Sequence, residues 1–134
     1  MTPQQIDTFL RRPLVITFTT LRTNGSPHTS PIWYEYDSGK LYCWVIANSI
    51  TVRNVRADPR VALCIATNGE PHEYVLAEGT CEVVRDGIAE RGKTIASRYY
   101  GEERGNQFVQ DTMASGETVL LVVSPTRMVT ESQA

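Results

Sequence analysis

Hydrophobic and polar positions alternate with a period of two in several stretches of the chain, and the pattern changes to a helical period near 3.6 in a few others. The first helical stretch opens the sequence: Thr2 and Gln5 have capping-box spacing, Pro3 suits the first helical position, and Ile6, Phe9 and Leu10 share one face. Residues 1–12 thus read as an N-terminal helix and linker. After "RRP" the period becomes that of a strand. "LVITFTTL" (residues 14–21) is β-branched and aromatic, "NGSP" turns the chain, "HTSPIWYEY" reads as a second strand running to Tyr36, "DSGK" turns at Gly39, and "LYCWVIA" is a third strand. Pro27 and Pro31 have no amide hydrogen to donate, which predicts that the second strand is an edge, bulged or interrupted at these prolines.

A short helical stretch follows, ending at Asp58 because Pro59 disfavours helical geometry in the residue before it. "RVALCIAT" is then a fourth strand, "NGEPHE" a loop, and "YVLAEGTCEVV" a fifth strand in which Gly79 predicts a bend or a close backbone approach. Residues 86–116 form an external helical segment, either one interrupted helix or two short ones, with Ile88, Ile95, Tyr99, Phe108, Val109 and Met113 directed at the sheet. "ETVLLVVSPTRMVT" is a sixth strand expected to end near Pro125. The expected fold is mainly β with peripheral helices: a six-stranded antiparallel barrel, one domain over residues 1–134, since closure removes exposed sheet edges. Turns this short leave no room for the crossover helices of a doubly wound fold.

Composition narrows the function classes. With 134 residues, 41% hydrophobic and 21% charged, the chain has ordinary globular proportions. A formal charge of -2 does not suit a general nucleic-acid binder. No stretch is long and apolar enough to span a membrane, and "MTPQQIDTF" lacks a signal-peptide pattern, so a cytoplasmic location is expected. The thiols Cys43, Cys64 and Cys81 lie in strand-like runs without metal-ligand spacing and read as structural, which leaves no expected metal centre. GxGxxG, GxxxxGK[ST] and GxSxG are all absent.

The candidate chemistry lies in "NSITVRNVRADPR", residues 48–60, with three arginines and two hydroxyls between apolar runs. One reading is a capped surface helix with solvated arginines. The other is an anion cup, in which the first-turn amides, Ser49 and Thr51 face the end of the preceding strand and Arg53 and Arg56 approach from the sides. Of the two histidines, His28 precedes the proline-flanked strand and is a candidate for a substrate-side role, whereas His72 sits on a loop between glutamates.

The ordered combination of "T-x-x-x-x-G-x-P", "SPIWYEYD", "RNVRADPRV" and "AEGT" resembles the pyridoxamine 5'-phosphate oxidase-like flavin and deazaflavin proteins, the split-barrel superfamily, and in particular its F420-dependent reductase branch. The resemblance covers roughly residues 6–130. It implies a split β-barrel homodimer with cofactor sites between subunits. Thr29, Ser30, Pro31, Ile32 and Trp33 would lie along the cofactor ring, and Ala47, Asn48, Ser49, Thr51, Arg53 and Asn54 would receive its phosphate-bearing tail. Trp33 and Tyr34 would border the substrate side and exclude water. Family members often carry lysine where this chain has Thr51 and a basic residue where it has Ser49, so the cup here is less cationic than usual. The implied function is an F420-dependent oxidoreductase transferring hydride from reduced deazaflavin to an enone, quinone or tetrapyrrole. An FMN-binding oxidoreductase or flavin reductase is the alternative, followed by a non-catalytic haem or ligand-binding barrel. Pyridoxamine phosphate oxidation fits less well, because Arg98, Arg104 and Arg127 do not form an evident cluster for a second phosphate.

Overall fold

In the computed structural model, which describes residues 1–132, the alternating runs form a single curled antiparallel sheet. The chain runs α1 (Pro3–Leu10), β1 (Ile16–Leu21), β2 (Pro27–Ile32), β3 (Glu35–Asp37), β4 (Lys40–Ile46), α2 (Ile50–Ala57), β5 (Arg60–Ala66), β6 (Tyr74–Val84), α3 (Ile88–Tyr100), α4 (Glu102–Ser115) and β7 (Thr118–Glu131). The last two positions of the expected domain, 133 and 134, lie outside the described residues. Strand order is β2-β1-β5-β6-β7-β4-β3, so the two edge strands are neighbours in the chain, joined through Trp33 and Tyr34. That short bend carries the backbone from one sheet edge to the other and curls the sheet upon itself.

The expected second strand is therefore two strands, which raises the count from six to seven. The prolines do not break it. Pro27 pairs with Leu21 and Pro31 with Thr17 on β2, an edge strand that tolerates the missing donors. The interruption comes instead at Trp33 and Tyr34. Nor does Pro125 end the last strand, because β7 continues to Glu131 through a register shift opposite Gly79. At that bulge the ladder is locally unpaired, and a residue without an amide hydrogen costs little there.

The core follows from the alternation. Ile16 and Phe18 of β1, Leu63 and Ile65 of β5, Val75 and Ala77 of β6, Leu41 and Cys43 of β4, and Val119, Leu121 and Val123 of β7 fill the inside of the curl. Helix α2 adds Val52 and Val55 from one end. Leu120 and Val122, on the opposite face of β7, are buried as well, which places them in the layer beside α3. Cys43 and Cys81 are buried and Cys64 half-buried, all as free thiols. Burial raises the Cys43 thiol far above its usual range and the Cys81 thiol to about 12, which keeps both protonated and inert.

The capping box of α1 forms as expected, with Thr2 Oγ1 accepting from the Gln5 amide at 3.1 Å and Gln5 Oε1 accepting from the Thr2 amide at 2.7 Å. The external segment is two helices, broken at Gly101, whose φ of 86° lies in the left-handed region. The helices fold back on each other at Gly105, where a Cβ would stand 2.8 Å from the Ser97 amide nitrogen. Ile95 and Val109 are buried there, whereas Met113, expected to face the sheet, is exposed.

Gly79 carries the sharpest packing constraint in the sheet. A Cβ on it would lie 2.3 Å from the Ser124 carbonyl oxygen and 3.0 Å from Pro125 Cα, both backbone atoms that cannot rotate away. Gly79→Ala is expected to destabilise the fold by about 2–3 kcal/mol, the cost of overpacking against fixed atoms. Urea denaturation checks this, and an unchanged midpoint would contradict it.

Candidate functional site

The bend between β2 and β3 shapes the site because two residues of α3 lock it. Tyr99 Oη accepts the Tyr34 amide hydrogen at 3.2 Å and donates to the Leu14 carbonyl at 2.7 Å. Its ring stacks on Trp33 with centroids 4.3 Å apart and planes 7° from parallel. Arg98 donates to the Tyr34 carbonyl, to that of Leu10 at 3.1 Å and to that of Arg12 at 2.9 Å, while its guanidinium lies over the Tyr34 ring. Backbone groups left free by the strand break are thus satisfied by side chains.

Tyr34 belongs to this lock. It is fully buried and its hydroxyl donates to the Arg12 carbonyl at 3.0 Å. Burial raises its pKa, against the lowering effect of Arg98. The expectation that Tyr34 borders the substrate is therefore corrected: the tight bend turns its side chain inward while Trp33 faces the other way.

Trp33 borders a cavity of about 560 Å³, within the range of roughly 300–1,000 Å³ typical of ligand pockets. Ser30, Pro31, Ile32 and Trp33 line one part of it, and Ser49 and Thr51 at the start of α2 line another. The segment from β2 and the helix start, 19 positions apart at Ser30 and Ser49, are thereby brought to one space. Trp44, Val45 and Ile46 come from β4, Thr118 from β7, and Ile95, Ala96, Tyr100, Phe108 and Thr112 from the helical pair. Phe108 and Tyr100 meet edge to face at 5.1 Å, and Phe108 also approaches Trp44 and Trp33. Among the described residues no charged side chain lines the space.

The other anticipated residues are distributed around it. Thr29 points to the outer sheet face, where its Oγ1 is 3.3 Å from that of Thr19. Asn54 is buried and donates through Nδ2 to Thr20 Oγ1 at 3.0 Å, tying α2 to β1. Ala47 is half-buried and donates its amide to the Glu117 carbonyl; Asn48 is exposed. Ser49 caps α2 by accepting the Val52 amide at 3.3 Å, and the buried Thr51 stands beside it. Arg53 and Arg56 are exposed on α2, whereas Arg60 pairs with Asp58 at 2.7 Å. His28 is half-buried on β2, opposite Thr20, and does not line the cavity.

Trp44, Thr118 and Phe108 are among the lining residues that sequence pattern places only as strand or helix positions. A polar Thr118 at the head of an apolar strand is the one local signal. Among the described residues no group of histidine, cysteine or carboxylate side chains suits a metal ion, and no helix is long and apolar enough to cross a membrane.

Residues 2–130 match the profile of the family described as pyridoxamine 5'-phosphate oxidase. No curated protein sequence matches. Among solved structures, a conserved hypothetical protein from Mycobacterium tuberculosis superposes with a TM-score of 0.86 at 23% identity, covering 98% of this chain and 85% of that one. An F420 reductase superposes at 0.74 with 24% identity, covering 92% and 94%. The haem-storage protein HutZ of Vibrio cholerae does so at 0.76 with 12% identity, covering 95% and 92%. These likenesses give the fold, a split barrel of the pyridoxamine 5'-phosphate oxidase type.

Burial of Tyr99 raises its pKa to about 12 from the usual 10.0 of a tyrosine. Because the folded form holds the proton more tightly than the unfolded chain, the stabilisation is fully present below pH 10 and is lost as pH rises from 10 to 12. Tyr99→Phe should flatten that alkaline limb in pH-dependent denaturation. At neutral pH it should cost about 1–3 kcal/mol, because the Tyr34 amide and Leu14 carbonyl lose their partner. A variant as stable as the parent at neutral pH would show that the bend does not need this hydroxyl.

Proposed function

The chain belongs to the pyridoxamine 5'-phosphate oxidase family, a split-barrel flavin- and deazaflavin-binding oxidoreductase group, and on that premise we propose that it is an F420-dependent reductase acting on an electron-poor small molecule such as an enone, quinone or tetrapyrrole. The observation that carries the reading is the meeting of residues 30–33 with the hydroxyls of Ser49 and Thr51 around one uncharged cavity. Such a space suits a planar ring with polar edges: Pro31, Ile32 and Trp33 offer apolar surface, and Ser30 offers a hydroxyl. The likeness to an F420 reductase supports the same reading.

Ser30, Pro31, Ile32 and Trp33 would hold the ring, and the helix start at Ser49 and Thr51 would hold the phosphate-bearing tail. Ala47, Asn48, Arg53 and Asn54 border that start, with Arg53 free to swing toward an anion from the exposed face of α2. Thr29, two positions before Pro31 on the same face of β2, would border the ring at its edge. Reduced deazaflavin, when bound, supplies the hydride; the protein orients the ring and excludes water. A solvent-delivered proton suffices, so no acidic side chain is required. FMN has a compact dianionic phosphate that would benefit from the lysine Thr51 replaces, which favours the deazaflavin.

Two competing chemistries fit less well. Among the described residues the cavity lining has no histidine, cysteine or methionine to ligate haem iron, and its one tyrosine, Tyr100, is packed edge to face on Phe108. For pyridoxamine phosphate, Arg98 is engaged by three carbonyls and Arg104 lies over the Tyr100 ring at 4.2 Å, leaving neither in the lining as a second phosphate anchor.

Equilibrium titration with F420, FMN and haem tests the assignment. F420 should bind preferentially, and Arg53→Ala should weaken it by about tenfold, the loss of one charge-assisted hydrogen bond. Tighter binding of FMN with FMN-dependent turnover would replace the reading.

We propose further that two copies pair through the outer face of the sheet. Pro31, Thr17, Cys64, Leu76 and Val129 stand side by side across five strands, and Leu76 and Val129 are 39% and 43% exposed. Pro31 belongs both to this row and to the cavity lining, so a second copy seated here would complete the cofactor site. Light scattering should give a dimer mass, and Leu76→Glu with Val129→Glu should give a monomer with weakened cofactor binding. A parent protein that is monomeric while binding cofactor stoichiometrically would overturn the intersubunit site.

A further inference from the structure

Helix α2 carries the residues assigned to the cofactor's tail, and one buried polar contact ties it to the sheet. Thr51, Val52, Asn54 and Val55 form its buried face. Val52 and Val55 enter the core, where non-directional apolar packing holds the helix down without fixing its rotation. Asn54 differs: its Nδ2 donates to Thr20 Oγ1 of β1 at 3.0 Å, and the two residues are 5% and 1% exposed. Among the described residues this is the one side-chain hydrogen bond that joins α2 to the sheet.

Both partners break the pattern of the elements that hold them. Strand β1 turns Ile16, Phe18 and Thr20 inward, so a hydroxyl stands where the alternation calls for a third apolar side chain. Asn54 is an amide beside two valines on the buried face of a helix. A buried amide left without a partner costs more than a hydrogen bond returns, so every rotation of α2 that separates the pair is penalised. A buried polar contact in an apolar seam can fix register in this way.

The register puts this anchor behind the cavity. Thr20 is opposite His28 on β2, and the next pair on the same face, Phe18 with Ser30, brings in a residue of the cavity lining. On the helix, Asn54 follows Thr51 by three positions, so the two share one side, and Thr51 lines the cavity as well. Neither Thr20 nor Asn54 is in the lining. A turn of α2 about its axis would therefore swing Thr51 away from the space that it shares with Ser30.

We propose that Thr20 and Asn54 are positioning residues: their hydrogen bond sets the rotation of α2 against β1 and so aims Thr51 and the first-turn amides at the cofactor phosphate, which neither residue touches. The inference rests on the reading that places this phosphate at the start of α2. Its consequence is a division of binding. The ring segment, residues 30–33, lies on β2 and the bend after it and keeps its place whatever α2 does, whereas the tail depends on the aim of the helix. Loss of the pair weakens a phosphate-bearing cofactor and spares the same ring without its tail.

Fluorescence titration with F420 and with its deazaflavin chromophore lacking the phosphate tail reads the two parts separately. The parent should bind F420 about tenfold more tightly than the chromophore. Thr20→Val, close in shape, should reduce F420 affinity about fivefold and leave that of the chromophore unchanged, while Thr20→Ser retains both. Thr20→Val combined with Asn54→Leu removes both polar partners, which should return the urea midpoint to near the parent's while F420 affinity stays as low as in the single variant. An equal fall for both ligands in Thr20→Val would overturn the proposal. So would a double variant that regains F420 affinity together with stability, since either result gives the pair a purely structural role. An F420 affinity unchanged by Thr20→Val would overturn it too and leave the F420 reading standing. FMN against riboflavin provides the second arm: if F420 fails to bind, and FMN outbinds riboflavin by a margin that Thr20→Val removes, the F420 reading falls and the positioning pair stands.

Discussion

The bend at Trp33 and Tyr34 is the constraint on which the rest of the molecule depends. It joins the two edge strands of the sheet, so the curl closes only if the backbone turns sharply there. A sharp turn between strands frees amide and carbonyl groups that the ladder would have used, and in a buried place they must find other partners. Arg98 and Tyr99 supply them from one turn of α3. One set of contacts thereby closes the sheet, docks the external helices, sinks Tyr34 into the core and turns Trp33 outward into the cavity. The stacked ring of Tyr99 then fixes the plane of Trp33, which gives the cavity a wall with a defined orientation.

The two helices outside the sheet gain their position from glycines as much as from apolar side chains. Gly92 lets α3 settle onto Trp44, Gly101 reverses the chain, and Gly105 lets α4 approach Ser97. Larger residues at Gly92 or Gly105 would push the layers apart and widen the cavity from the outside. The site is thus built by close approach of rigid elements, while the loops between strands contribute little to its lining.

Most of the strands, the opening helix with its capping box, the helix behind Ser49 and the bulge at Gly79 were legible in the sequence, because each rests on local chemistry: alternation, a hydroxyl at a helix start, a glycine amid apolar residues. The division of the second strand was not. "SPIWYEYD" has strand composition throughout, and Pro27 and Pro31 advertise a break ahead of the real one. The real break is imposed by Arg98 and Tyr99, some 65 positions away, which no local pattern reports. Trp44 and Thr118 escaped for a related reason. An indole and a hydroxyl in strands look ordinary until the cover of α3 and α4 shows that neither finds a partner. By contrast Ser30, Pro31, Ile32, Trp33, Ser49 and Thr51 converge on the cavity, since the strand-then-helix arrangement that marks them in sequence also brings them together in space.

The distribution of charge follows from the same layered construction. Sheet and helices meet through apolar faces, so a cavity left between them is lined by what those faces carry: aromatic rings, aliphatic groups and a few hydroxyls. An ionised side chain there would lose its hydration without an opposite charge to replace it. Arg53 and Arg56 instead stand on the exposed side of α2, where solvent meets the charge. On the proposed reading a cofactor with an uncharged ring and an anionic tail matches this division, with the ring enclosed and the tail held at the helix start.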